Sequence, residues 1–112
     1  MRAYDLSGLR KITGGNTEFE MKMLKMFVEQ TPEQVQKLEN LLEEDDFESF
    51  GVVAHSIKPS IDLICTEDLK NQVRDLEKIS KSGNQTDLLP GLFENFREDL
   101  EEVISDLKED LF

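Results

Sequence analysis

Tryptophan is absent from this chain of 112 residues, and cysteine, tyrosine and histidine each occur once. One cysteine excludes an internal disulfide, so the core must close by side-chain packing alone, which a chain of this length can do. An unpaired thiol fits a reducing compartment. Cys65 ends the apolar run that starts at Ile61, and it reads as a small core residue. No stretch approaches the roughly 20 apolar residues of a membrane span. The start, Met1-Arg2-Ala3-Tyr4-Asp5, lacks the apolar region of a secretory signal. A cytoplasmic protein without a membrane partner is expected.

Positive charge is scarce as well: 13 Lys and Arg stand against 25 Asp and Glu, a formal net charge of −12. Such a chain repels polyanions, so nucleic acid is not an expected partner. Partners should present basic or apolar surface. The one dense acidic run, Glu43-Glu44-Asp45-Asp46, lacks the alternating ligands and central glycine of a calcium loop and reads as a solvated turn. No metal site is expected. There is no glycine-rich phosphate loop, and no second His or reactive Cys to form a nucleophilic pair with the first. These gaps argue against an enzyme with its own catalytic machinery.

What is present favours helix. Leu, Glu, Lys, Phe and Met dominate, and no segment sustains the alternation of a strand. Gly14-Gly15-Asn16, the acidic run at 43–46 and Ser82-Gly83-Asn84 punctuate the chain. Leu6, Leu9 and Ile12 predict a short first helix with Asp5 as its cap. A second piece runs from about Thr17 to Glu44. Within it, Thr31-Pro32-Glu33-Gln34 can be read as the cap of a new helix or as a kink in one long helix. Leu24, Val28, Val35, Leu38 and Leu42 keep one face across the proline, which favours the single kinked helix. Further helices are predicted from about Asp46 to Ile64, Thr66 to Lys81 and Thr86 to Leu111. Residues 1–112 thus read as a single all-α domain. Its expected form is an up-down antiparallel four-helix bundle with a short additional N-terminal helix.

The third major helix carries the histidine. At about 100° per residue, Phe47, Phe50, Val53, Ala54, Ile57, Ile61 and Ile64 share one arc. His55 lies roughly 150° from the centre of that arc and should be exposed, with Lys58 at the edge of the same outer face. Gly51, Val52, Pro59 and Asp62 flank it. Leu63 also lies opposite the core stripe, so either a neighbouring helix covers part of this face or it holds an apolar docking patch. A neutral imidazole is a good nucleophile near physiological pH, and a cation one turn away can stabilise a phosphoryl group placed on it. Alone, an exposed His–Lys pair is an ordinary surface feature.

The stretch Ala54-His55-Ser56-Ile57-Lys58-Pro59 resembles the signature of histidine-containing phosphotransfer (HPt) domains, Ala-His-x-(Leu or Ile)-Lys-Gly. The resemblance extends to Phe27-Val28-Glu29-Gln30-Thr31-Pro32-Glu33, to the acidic turn with Phe47, to the Gly83 turn and to the long closing helix. It implies a phosphorelay carrier. His55 would accept a phosphoryl group from the aspartyl phosphate of a receiver domain in a hybrid histidine kinase. It would then pass the group to the receiver of a response regulator. Lys58 would stabilise the group, and Gly51, Val52, Pro59 and Asp62 would form the docking face. The receiver would supply the aspartate and Mg²⁺, so no cofactor is expected on this chain, which would act as a monomer. The other reading is a helical interaction module that binds a receiver without chemistry. Pro59 departs from the family's glycine, and its missing N–H predicts a local bend after His55.

Overall fold

The computed structural model describes residues 2–112. In chain order the helices are α1 (Ser7–Thr13), α2 (Thr17–Glu43), α3 (Phe47–Ile64), α4 (Glu67–Ser82) and α5 (Leu89–Leu111). A 3-10 turn at Thr86–Leu88 precedes the last. Each long helix packs on its chain neighbour, and α5 closes back on α2, so four helices ring one core. The expected all-α bundle with a short additional N-terminal helix is the fold observed. The molecule measures 42 × 23 × 23 Å. Its long dimension is that of α2, about 40 Å at the helical rise of about 1.5 Å per residue. Among the described residues no helix is long and apolar enough to cross a membrane.

Local chemistry sets the helix ends. The Asn16 side chain accepts the Phe19 N–H at 3.1 Å and starts α2, and the Asp46 side chain accepts the Ser49 N–H at 3.2 Å and starts α3. Gly14 and Gly83 stop α1 and α4 in the left-handed conformation that a Cβ would disfavour, with φ 63° and 71°. The acidic run is the α2–α3 connection, where Asp45 itself takes φ 55°. Both internal prolines lie in unbroken helices. Each withholds one N–H, from the carbonyl of Val28 in α2 and from that of His55 in α3.

Three details differ from the sequence reading. The N-cap position of α1 is Leu6, while the Asp5 carboxylate still accepts the Ser7 N–H at 3.0 Å from one residue further out. Ile12 is 65% exposed, whereas Leu6 and Leu9 are buried and Thr13 donates to the Glu20 carboxylate of α2 at 2.7 Å. The last helix proper starts three residues later than predicted, since Thr86–Leu88 winds as the tighter 3-10 turn.

Aliphatic side chains fill the core, and Phe50 of α3 meets Phe93 of α5 edge to face across it, with ring centroids 6.1 Å apart. Cys65 is fully buried, and that burial pushes its thiol up to about 12, so it packs as an inert small hydrophobe. The N-terminal segment straps the bundle. Asp5 N–H donates to the Ile64 carbonyl at 2.8 Å, while Arg2 and Tyr4 both hold Asp110 of α5.

Candidate functional site

His55 stands in the middle of α3 with its side chain 62% exposed. Its position follows from phase: Ala54 and Ile57 point into the core, so His55 and Ser56 between them point out. Val52, 63% exposed, and Pro59 share its face. Asp62 is half-buried, and its carboxylate is held by Arg74 of α4 at 3.0 Å.

Gly51 does not belong to that exposed face. It is buried against α4, and a Cβ built on it would stand 2.9 Å from the Ser80 hydroxyl oxygen. Phasing puts Gly51 one turn before His55, and on the α4 side of α3 that direction is covered by the neighbouring helix. The missing side chain is what lets the two helices approach there. Gly51→Ala should cost about 1–2 kcal/mol of stability by overpacking. Ser80→Ala added to it should recover most of the loss, because the remaining contacts, Lys81 Cγ at 3.4 Å and Ser80 Cβ at 3.6 Å, are ordinary van der Waals distances. Denaturant unfolding of the two variants checks this.

The residue that the sequence reading missed is Glu77 of α4. Its carboxylate is the hub of the site: Oε2 bonds His55 Nδ1, Oε1 accepts from Lys58 Nζ at 2.9 Å, and Lys81 Nζ lies 3.3 Å from Oε2. The side chain is only 12% exposed. Burial pushes its pKa up, but the hydrogen bonds from Lys58, His55 and Lys81 outweigh that and hold it down at about 2. A signal was present. Glu77 follows Leu69 and Val73 at successive four-residue steps, so it occupies a core-facing position of α4. A carboxylate placed there must be paired.

The pairing fixes the histidine's chemistry. An ionised carboxylate only accepts hydrogen bonds, so Nδ1 carries the proton. In the neutral ring the lone pair then belongs to Nε2, on the ring edge turned away from Glu77 and toward solvent. Lys58 and Lys81 bring two ammonium groups to the same carboxylate, so both cations are tied to the residue that holds the ring.

Comparison with known proteins gives one finding. No curated protein and no solved structure matches the chain. The family model described as Hpt domain matches residues 22–110, which takes in most of α2, all of α3 and α4, and α5 almost to its end. The match covers well over half of the sequence and includes α3 with its exposed histidine. The chain belongs to the Hpt domain family, the phosphoryl carriers of two-component phosphorelays.

Proposed function

We propose that Nε2 of His55 is the phosphoryl acceptor, charged by the aspartyl phosphate of a hybrid-kinase receiver and discharged to the receiver of a response regulator. The observation that carries this reading is the bond from Nδ1 to the Glu77 carboxylate, which leaves Nε2 as the exposed, unprotonated nitrogen. In the step, the Nε2 lone pair attacks phosphorus in line. A P–N bond forms as the bond from phosphorus to the aspartyl oxygen breaks, and the aspartate leaves as a carboxylate. No proton has to move. The ring becomes a phosphoimidazolium that keeps its Nδ1 proton, and Glu77 faces the new positive charge. Because that cation is also a good leaving group, the same geometry serves the return step to a second aspartate.

Lys58 and Lys81, both held on the carboxylate that bonds the ring, are the cations assigned to neutralise the added dianion, and Val52 and Pro59 offer an apolar contact on the same face. The Mg²⁺ that such transfers use is assigned to the receiver. Incubating the chain with a receiver domain charged with labelled phosphate tests the reading. The expected result is label on this chain that is lost in acid and kept in base, as a phosphoramidate behaves. Absence of such label, with a receiver panel from the source organism, overturns the carrier reading.

A further inference from the structure

The long helices ring the core in the order α2, α3, α4, α5. The seam between α2 and α5 therefore lies diagonally across from the α3–α4 seam that holds Glu77 and the His55 ring. Two hollows open along it. One, of about 440 Å³, is lined by Lys25, Val28 and Glu29 of α2 and by Lys108 and Phe112 of α5. The other, of about 250 Å³, takes in Pro32, Val35, Glu39, Arg97, Glu101 and Ile104. Phe112 is 55% exposed, and Val28 and Val35 are only half-buried, so apolar surface runs along the seam. Its charge is polarised. At the first hollow Lys25 and Lys108 outweigh Glu29, and neither lysine makes an ion pair among the described residues. At the second, Arg97 is shared by Glu94 and Glu101, and Glu39 adds a further carboxylate. One end of the seam is thus net basic and the other net acidic.

We propose that this seam is a self-complementary face that pairs two copies of the chain about a two-fold axis, in place of the monomer expected from the family resemblance. Such an axis lies in the plane of the contact, so it runs either along the helices or across them. An axis along the helices lays α2 on the partner's α5 and sets Lys25 against the partner's Lys108. An axis across them, at the level of Pro32, lays α2 antiparallel on the partner's α2. Lys25 and Glu39 each stand seven residues from Pro32, about 10 Å along the helix, so each Lys25 then meets the partner's Glu39. Ile104 shares the hollow of Pro32, and Lys108 and Glu101 stand four and three residues to either side of it, so they meet in the same way. The charges select the axis across the helices. The apolar strip between the charged ends supplies burial that exposed ion pairs alone do not. A side of the molecule 42 × 23 Å across is large enough for the about 800 Å² per partner of a standard interface. The net charge of −12 on each copy opposes approach from a distance, but screening over about 8 Å leaves the charges at the contact to decide. The pairing does not depend on phosphoryl transfer, and it leaves both His55 rings on the outer sides of the assembly.

Sedimentation of the unaltered chain from about 10 µM to about 1 mM, at about 0.15 M salt, should show its mass rising from 12.9 kDa toward twice that value. Lys25→Glu sets carboxylate against carboxylate twice across the contact, and Glu39→Lys sets ammonium against ammonium twice. Each should weaken pairing about tenfold or more. An equimolar mixture of the two single variants should pair as the unaltered chain does. In the mixed pair the two reversed positions face each other with opposite charges, and so do the native Glu39 of one copy and the native Lys25 of the other. Lys25→Glu with Glu39→Lys in one chain should pair likewise. Both positions lie outside the core, so helical content should stay unchanged in every variant. A chain that remains at 12.9 kDa up to about 1 mM overturns the inference. So does a pair that both single variants leave intact, or one that neither the mixture nor the double variant restores. Tighter pairing by Lys25→Glu alone overturns it as well, because that result marks the axis along the helices, with lysine facing lysine.

Discussion

His55→Gln should take up no label from any charged receiver while remaining as stable as the unaltered chain to within about 0.5 kcal/mol. The loss is complete because glutamine offers an amide nitrogen whose lone pair is delocalised, and no other imidazole exists in the chain to substitute. Stability survives because the side chain is 62% exposed and buries little surface. Its one polar contact is to Glu77, which keeps Lys58 and Lys81 as partners. The glutamine amide can also donate to the same carboxylate. Thermal unfolding and label uptake should therefore separate cleanly, the first unchanged and the second abolished. Label retained by His55→Gln would refute the site assignment. If receiver binding and downstream signalling both continued in this variant, the chain would be an interaction module, and the Nδ1–Glu77 bond would have no chemical role.

The sequence was most readable where one helix decides the matter alone. The α3 arc and the exposed His55 both follow from spacing within a single element. Continuity through Pro32 was legible for the same reason, since the apolar register on either side stays in phase. What failed was everything that depends on which neighbour covers a face. Gly51 and Val52 both looked like flanks of the histidine, yet α4 lies on one and solvent on the other. Ile12 follows Leu9 at three residues yet is exposed, because no neighbouring helix covers its side of α1. Glu77 was hidden because its partner set comes from two helices, and its burial becomes meaningful only once α4 is laid against α3.

The second large effect should come from Glu77. Glu77→Ala is expected to slow phosphoryl uptake about 10- to 100-fold, the usual weight of an outer partner that fixes a histidine's tautomer and orientation. Without the carboxylate, Nδ1 has no acceptor, the neutral ring exchanges between tautomers, and Nε2 carries the proton for part of the time. The developing imidazolium also loses the negative charge facing it. Glu77→Gln should keep more activity than Glu77→Ala, because its amide oxygen can still accept from Nδ1, although it cannot balance Lys58 and Lys81. Nitrogen chemical shifts of the His55 ring would read the tautomer directly and distinguish this loss from simple misfolding. Stability should fall as well, by about 1–3 kcal/mol, since a buried hub of three hydrogen-bonding partners disappears. That part of the effect has a pH signature. The carboxylate is held near 2 in the folded chain against an ordinary value of 4.5. Its contribution is therefore fully present above about pH 4.5 and is lost as the pH falls toward 2. The unaltered chain should lose stability steeply across that window, and Glu77→Ala should lose distinctly less. Equal slopes for the two in acid unfolding, together with an unchanged transfer rate, would show that Glu77 neither stabilises the bundle nor sets the histidine.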